Sequence, residues 1–378
     1  MTSIDDIKTI FNPATCLRRG LAPVSTSQKR SPAPHNLYFE VHGDAASDAV
    51  KLVFIMGKNF LPSSAFSHFE LTIPNPIHRS QQLIVRHPSA TPLHPSLIPL
   101  ILFPLFTHSF AWHHQVTHFS RKPGYQILVF DNRGVGNSDT PPGRLWKTSE
   151  MALDAVDLLD YLGWTGKREL NVVGVSMGGM IAQELALAIP DRIASLNLTS
   201  TKCGDRSDRL TLALLHRALF FGKLMTNTAG TPEQILSMVI DTLFPQAYLQ
   251  AIDPKTGEAN KVAVQKDFEK RVEMGKLQST AGKVGQMMAV LGHCVKADRL
   301  KIISSTIPKV AIIHGDMDEL IDVQRGVELH EMIPGSEFKL VKGAGHAILA
   351  QLTDEYNAFI ESVVEDAKRR VAEENERA

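Results

Sequence analysis

The 378-residue sequence contains few cysteines and no excess of charge of either sign. Its three cysteines, Cys16, Cys203 and Cys294, are odd in number and far apart, which argues against a disulfide framework and fits a reducing compartment. No CxxC pair occurs, so neither the ligand spacing of zinc ribbons nor the redox motif of thioredoxin-like proteins is present. Forty basic and forty acidic residues cancel, which gives no support to nucleic-acid binding or to general adhesion to anionic membranes.

The N-terminal region also lacks the basic start and long apolar run of a secretory signal. Basic residues between positions 18 and 30, with serine and threonine nearby, are typical of a mitochondrial presequence, but Asp5 and Asp6 are not. We therefore predict a cytoplasmic protein, with a mitochondrial location as the alternative. Residues 1–35 carry no clear periodicity and are predicted to form an irregular extension.

Short aliphatic runs begin after that extension and alternate with segments of helical periodicity. The predicted strands are Leu37–Val41, Val50–Met56, Tyr125–Phe130, Asn171–Val173, Ile193–Leu198, Val310–Ile313 and Phe338–Val341. The predicted helices between and after them are Met151–Leu162, Met180–Ile189 and Asp354 to about Val371. This alternation predicts an α/β fold with a mainly parallel central sheet and helices on both faces.

The strand signal vanishes between positions 205 and 301. Helical spacing of apolar residues there predicts helices over Leu210–Leu224, Glu233–Leu243, Val262–Met274 and Ala281–Leu291, with Pro232 at a helix start. We interpret residues 205–301 as a helical cap inserted between two strands of the sheet. It divides the core domain into residues 36–204 and residues 302–378, the latter ending in a C-terminal helix.

Residues 58–108 differ from the rest of the chain, with eight prolines, no glycine and a single acidic residue, Glu70. Its most apolar part, Pro95–Phe106, is too short and too interrupted by proline to span a membrane. Three interpretations stay open: a membrane- or lipid-contacting insert, a disordered insert, and a retained intron, which we prefer. Gly57-Lys58 can be encoded by GGTAAG, which contains a common splice-donor sequence.

The strongest motif is Gly174-Val175-Ser176-Met177-Gly178-Gly179, which follows an apolar strand and precedes an apolar-periodic helix. Such a strand–turn–helix context is what a nucleophile elbow requires, because the sharp turn needs small residues two before and two after the serine. The Ser176 hydroxyl would stand clear of the sheet. The Met177 N–H, at the helix start, would point to where an oxyanion forms.

A serine hydroxyl is a poor nucleophile unless a base removes its proton. His346 is the candidate base, because it follows the last predicted strand in a glycine-containing loop. An imidazole base needs a carboxylate to set its tautomer, and two aspartates, Asp316 and Asp318, follow the strand that ends near Ile313.

These residues give the chain a clear resemblance to the α/β-hydrolase family, over about residues 37–365 apart from the proline-rich segment. Phe130–Asp139 (FDNRGVGNSD) also resembles the DxRGxGxS loop of that family. The order Ser…Asp…His agrees with the family, and the family's spacing favours Asp318 over Asp316. The resemblance also implies a second oxyanion donor after Met56-Gly57, which would be the Lys58 backbone N–H.

The resemblance is closest to capped esterases and lipases and implies a serine hydrolase that cleaves a carboxylic ester of an apolar or lipid-like small molecule. Apolar residues of the cap, among them Met287 and Met288, would supply the pocket. No cofactor or metal is implied, and no nucleic-acid partner is expected. Membrane or lipid contact is possible but unsupported, and the oligomeric state is left open. The alternatives are another chemistry on the same triad (thioester, amide or carbon–carbon hydrolysis, or cofactor-free peroxidase activity) and a non-catalytic ligand-binding member of the fold.

Overall fold

The computed structural model describes residues 7–26, 33–56, 108–142, 145–204, 232–276 and 278–377. The interpretations of the proline-rich segment therefore fall almost entirely outside the described residues. The same holds for the predicted oxyanion donor Lys58 and for the predicted helix Leu210–Leu224.

An eight-stranded sheet forms the centre of the described chain, in the order β1-β2-β4-β3-β5-β6-β7-β8. Its strands are β1 (Cys16–Val24), β2 (His35–Gly43), β3 (Val50–Ile55), β4 (Tyr125–Phe130), β5 (Leu170–Val175), β6 (Ile193–Thr199), β7 (Lys309–Gly315) and β8 (Glu337–Val341). Strand β2 pairs antiparallel with β1 and with β4, and every other neighbouring pair is parallel. The predicted fold class is confirmed.

Strand β1 corrects the prediction of an irregular extension over residues 1–35. It pairs antiparallel with β2 from Cys16↔His42 to Val24↔His35, with a register irregularity between Cys16 and Arg18. The sequence CLRRGLAPV hides this strand because it does not alternate and because Pro23 is tolerated only where a strand lies at a sheet edge. Pairing with the mostly buried β2, rather than its own pattern, makes this segment a strand.

Eleven α-helices are present among the described residues. They are α1 (His113–Phe119), α2 (Thr148–Leu162), α3 (Met177–Ala188), α4 (Pro232–Leu243), α5 (Gln246–Gln250), α6 (Asn260–Met274), α7 (Thr280–Gly292), α8 (Ala297–Thr306), α9 (Val323–Met332), α10 (Ile348–Gln351) and α11 (Thr353–Arg377). Short 3₁₀ turns occupy Pro13–Thr15, Ser109–Trp112 and Pro190–Arg192. Among the helices of the described chain, none has both the length and the apolar character needed to cross a bilayer.

The sheet buries apolar side chains on both of its faces. In β3, Val53 and Ile55 belong to one core cluster, which also holds residues of α2, α3, α8 and α9. Leu52 and Phe54, from the alternate positions, belong to a second cluster with residues of α1 and α11. Because successive side chains of a strand point to opposite faces, a continuously apolar strand such as β3 requires helices on both sides.

Helices α4 to α8 lie in the chain between β6 and β7, where the helical insertion was predicted. Residues of α4, α5 and α6 form a third apolar cluster that includes Ile240, Phe244 and Phe268. Helix α8 runs across the predicted boundary at residue 301, and its Leu300 and Ile303 pack into the core beneath the sheet. This helix therefore packs with the core domain, which corrects the predicted boundary at residue 301. The periodicity of the sequence does not show which part of the protein a helix packs against.

Candidate active site

Ser176 occupies a sharp turn between β5 and α3. All six residues of β5 are buried, and Ser176 has φ 57° and ψ −124°, a conformation that non-glycine residues seldom adopt. A side chain at Gly178 would collide with the carbonyl oxygen of Ile55, and one at Gly174 with that of Gly178. The glycines on both sides of the serine are thus required by the close approach of α3 to the sheet.

The start of α3 provides backbone N–H groups next to Ser176. Met177 is the first residue of the helix, and the N–H groups of a first helical turn have no acceptor inside the helix. Gly179 and Met180 donate to the Ser176 carbonyl oxygen at 3.0 and 3.2 Å. The Met177 N–H is therefore placed at the positive end of the helix dipole, where an anionic oxygen is favoured.

Asp318 and His346 are brought together at the carboxyl end of β7. His346 Nδ1 and Asp318 Oδ2 are 2.8 Å apart, and both side chains are buried. The loop that holds His346 packs tightly onto the strand end, because a side chain at Gly315 would collide with the backbone of Ala344. This packing joins two residues that are 28 positions apart in the sequence.

The contact with Asp318 determines what the other nitrogen of His346 can do. An ionised carboxylate only accepts, so Nδ1 carries a proton and the neutral ring has its lone pair on Nε2. His346 Nε2 is buried and has no hydrogen-bond partner among the residues that the structure describes. Ser176 follows β5, which is separated from β7 by one parallel strand, so the carboxyl ends of both strands lie at the same edge of the sheet. In the described structure, Ser176 is not hydrogen-bonded to His346 Nε2.

The surroundings of Asp318 favour its ionised form. Burial by itself would raise the pKa of Asp318, but the charge of His346 and hydrogen bonds from His314 and His346 outweigh burial and hold the pKa below its ordinary value. Asp318 Oδ1 also accepts the Leu320 and Ile321 N–H groups, each at 2.9 Å. The carboxylate is therefore fixed in position as well as charged.

His314 is a site residue that sequence reasoning missed. Its Nε2 lies 2.9 Å from the Ile321 carbonyl oxygen and 3.2 Å from Asp318 Oδ2, so the Nε2–H is shared between two acceptors. A side chain at Gly326 of α9 would collide with the His314 ring. The only local signal was the separation of four residues between His314 and Asp318 just after a buried strand.

Asp316, the other candidate for orienting the histidine, has a different role. Its Oδ1 accepts the Gly343 N–H at 2.7 Å, and its N–H donates to the Val341 carbonyl oxygen at 3.1 Å. These contacts join the ends of β7 and β8 and do not involve His346. Asp316 thus shapes the loop that carries the histidine.

The loop after β4 is built around the buried carboxylate of Asp131. Its two oxygens accept the Ser109 N–H at 2.8 Å and the Asn137 N–H at 2.9 Å. Burial nonetheless raises the pKa of Asp131 to about 6. The neighbouring Asn132 Nδ2 donates to the Met56 carbonyl oxygen at 3.0 Å, which ties this loop to the end of β3.

Two groups in the described residues have the composition and spacing to hold a metal ion: Cys16 with Glu40 and His42, and His113 with His114 and Asp267. Neither includes Ser176, Asp318 or His346. The arrangement at the end of β5 and β7 is thus an elbow serine, a helix N-terminus and a buried carboxylate–histidine pair.

Comparisons with known proteins agree with this fold. The model of a family described as alpha/beta hydrolase fold matches residues 98–351. A Mycobacterium tuberculosis protein with the provisional name non-heme bromoperoxidase BpoC is 40% identical over 100 residues, 26% of this chain and 35% of that protein. The 3-oxoadipate enol-lactonase 2 of Acinetobacter baylyi is 31% identical over 105 residues, 27% of this chain and 37% of that protein.

The matched stretches thus span little more than a third of these curated relatives. A solved structure, that of a thermophilic esterase from Thermogutta terrifontis, superposes with a TM-score of 0.61 at 18% identity and covers 93% of this chain and 99% of the esterase. At this identity the superposition shows the fold alone.

Proposed function

This chain belongs to the alpha/beta hydrolase family, and on that premise we propose that it is a serine hydrolase that cleaves carboxylic esters. Ser176 is the nucleophile, His346 the general base and Asp318 the residue that orients the histidine. The observation that carries this proposal is the buried Nε2 of His346, which has no hydrogen-bond partner in the described part of the chain, on a ring whose Nδ1 is 2.8 Å from Asp318. A buried nitrogen lone pair with no donor is prepared to accept a proton.

In the first half of the reaction, the Ser176 oxygen attacks the ester carbonyl carbon while its proton passes to His346 Nε2. The carbonyl oxygen becomes an oxyanion, to which the Met177 N–H donates. Asp318 stabilises the imidazolium that forms, because its carboxylate is ionised and buried beside the ring. The protonated Nε2 then gives its proton to the departing alcohol oxygen, leaving an acyl ester on Ser176.

In the second half, water attacks the acyl carbon and gives a proton to His346 Nε2. Collapse of the second oxyanion breaks the bond to the Ser176 oxygen, which takes the proton back from His346. The products are a carboxylic acid and an alcohol. The second backbone donor in this proposal is Lys58, which lies outside the described residues.

We propose an apolar or lipid-like ester as the substrate. Met287 and Met288 of α7 are half-buried, so packing inside the protein does not use the whole of either side chain. By contrast, Ile240, Phe244 and Phe268 are buried against one another in the inserted helices. One curated relative is named as an enol-lactonase, and lactones are cyclic esters, which supports ester cleavage here.

A fluorophosphonate probe tests the nucleophile directly, because it phosphonylates a serine oxygen only where a base removes the proton. We expect the full chain to be labelled at Ser176 and the Ser176→Ala variant to stay unlabelled. Ser195→Ala is the matched control, since Ser195 is a buried serine on β6 that donates to Asn171 at 2.7 Å near the opposite end of the sheet. Labelling that survives in Ser176→Ala, or an unlabelled wild type, contradicts the proposal.

The reaction class is tested with a panel of p-nitrophenyl esters of increasing acyl length beside matched thioesters and amides. We expect hydrolysis of esters, faster for longer acyl chains up to a limit set by the pocket. Peroxide-dependent bromination is measured on the same preparation, because one compared protein carries a bromoperoxidase name. Bromination with no ester cleavage would overturn the proposed reaction while leaving Ser176 as nucleophile.

A further inference from the structure

Strand β2 carries three polar side chains at alternate positions, Tyr38, Glu40 and His42, and all three are buried. Alternate residues of a strand share one face, so the three side chains are neighbours. Cys16 of β1 is the register partner of His42. One donor atom from each of Cys16, Glu40 and His42 lies within 4.8 Å of the other two.

The carboxylate of Glu40 is held from outside this cluster. Its Oε1 accepts hydrogen bonds from the Tyr38 hydroxyl at 2.8 Å and from the Thr9 hydroxyl at 2.7 Å. The other oxygen, Oε2, lies 3.2 Å from His42 Nε2. One oxygen is thus used for support, and the other is directed at the histidine.

The hydrogen bonds of Thr15 determine which nitrogen of His42 carries a proton. The Thr15 hydroxyl donates its only proton to the Asn12 carbonyl oxygen at 3.0 Å, so it accepts from His42 Nδ1 at 3.1 Å. Nδ1 therefore carries a proton, and in the neutral ring Nε2 is a bare lone pair. With a proton on Nε2 as well, His42 donates to Glu40 Oε2 at 3.2 Å. Without that proton, Nε2 and Oε2 are two acceptor atoms directed at the same space, which a cation would fill.

We propose that Cys16, Glu40 and His42 bind one Zn²⁺ ion through the cysteine sulfur, Glu40 Oε2 and His42 Nε2. Three ligands from the sulfur, imidazole and carboxylate classes, with water in the fourth position, form a recognised zinc coordination set. A thiolate and a carboxylate balance the two charges of the ion, so the buried site is neutral overall. Support of each ligand by an outer hydrogen bond is the usual condition of metal-ligating histidine and carboxylate.

Binding replaces protons with the metal. The Cys16 thiol loses its proton to water as the sulfur–zinc bond forms, and any proton on His42 Nε2 leaves in the same way. The bound ion would join β1 to β2 and, through Thr9 and Thr15, fix the segment that precedes β1.

The other cluster of suitable composition, His113 with His114 and Asp267, is a weaker candidate. Its carboxylate already forms an ion pair with Arg271, whose side chain is buried. The guanidinium charge of Arg271, fixed next to Asp267, repels a metal ion that would bind the same carboxylate. This cluster therefore provides the reference against which the proposed site is tested.

The test measures zinc bound per chain in the full-length protein, after removal of metal with a chelator and dialysis against ZnCl₂. We expect one equivalent in the wild type, and its loss in Cys16→Ser and in Glu40→Gln. Cys294→Ser is the matched control, because Cys294 is an exposed cysteine. If zinc binding is lost in His114→Gln but kept in Cys16→Ser, the ion occupies the other cluster and the proposal is wrong.

The absorption spectrum of the cobalt-loaded wild type tests the cysteine ligand without depending on the folding of any variant. With CoCl₂ in place of zinc, we expect a near-ultraviolet thiolate-to-cobalt band that is absent in Cys16→Ser and present in Cys294→Ser. Thr15→Val, which removes the acceptor of His42 Nδ1, is expected to weaken zinc binding by about 10- to 100-fold. A wild type that binds less than a tenth of an equivalent, or a cobalt complex with no thiolate band, overturns the proposal and leaves His42 as a hydrogen-bond partner of Glu40.

Discussion

Two of the buried carboxylate–histidine pairs in the described chain lie at different places in this sheet. At the carboxyl end of β7, Asp318 Oδ2 is 2.8 Å from His346 Nδ1, and His346 Nε2 has no partner. On the face of β2, Glu40 Oε2 is 3.2 Å from His42 Nε2, and His42 Nδ1 is bonded to Thr15. The residue types and the burial are alike in the two pairs. They differ in the histidine nitrogen that faces away from the carboxylate, which is hydrogen-bonded in His42 and not in His346.

The difference shows why a buried carboxylate–histidine pair is not by itself a catalytic signal. A general base needs one nitrogen for its orienting carboxylate and one for the proton that it accepts. His346 has both, and it lies at the edge of the sheet formed by the carboxyl ends of the parallel strands, where β5 also leads into the elbow serine. His42 has both nitrogens engaged, so its pair is suited to structure or to binding a cation, and not to moving a proton from a substrate.

The largest effect is expected from changing the carboxylate of the first pair. Asp318→Asn removes the charge that stabilises the imidazolium and favours the wrong tautomer of His346, so kcat should fall by about 10³- to 10⁴-fold. Steady-state ester hydrolysis measures this loss. Asp316→Asn is the matched control, because Asp316 accepts the Gly343 N–H and does not touch His346. An equal loss in both variants would mean that loop geometry, not the charge on Asp318, supports the base.

Changing the carboxylate of the second pair, Glu40, is expected to lower the stability of the fold. In chelator, Glu40→Leu should lower the free energy of unfolding by about 3–5 kcal/mol, because Tyr38, Thr9 and His42 all lose a buried partner. Glu40→Gln keeps an acceptor for the two hydroxyls and can donate to His42 Nε2, so its cost should be about 1 kcal/mol or less. Urea unfolding measures both values. Equal costs in the two variants would show that shape, and not hydrogen bonding, holds this cluster together.

A third buried carboxylate, Asp131, sharpens the comparison, because it accepts the backbone N–H groups of Ser109 and Asn137 instead of pairing with a histidine. Burial raises its pKa to about 6, so the folded protein holds this proton more tightly than the unfolded chain does. The stability that depends on the proton is complete below pH of about 4 and is lost as pH rises through about 6. The stability advantage of the wild type over Asp131→Asn should therefore shrink across that range, by on the order of 2 kcal/mol.

Urea unfolding at several pH values measures this difference. An advantage that grows with pH would mean that the N–H groups of Ser109 and Asn137 outweigh burial and hold Asp131 ionised. In that case Asp131 would resemble Asp318, whose pKa is held low although it is equally buried.

Much of the fold and the elbow could be predicted from the sequence. The strands from β2 to β8 are apolar enough to be recognised, and the glycines around Ser176 mark a turn that only small residues allow. Strand β1 could not be recognised, because Pro23 and two exposed leucines remove its periodicity. The end of the helical insertion was placed at residue 301 although helix α8 continues beyond it.

What the sequence by itself determined is the local chemistry of short segments: a buried strand, a sharp turn with its serine, and a helix after it. These depend on residues a few positions apart, whose relative placement the backbone restricts strongly. Only the tertiary structure decided which distant side chains meet. His314 beside Asp318, and Cys16 beside Glu40 and His42, depend on strand register and loop packing, where a shift of one residue turns a side chain to the other face of the sheet.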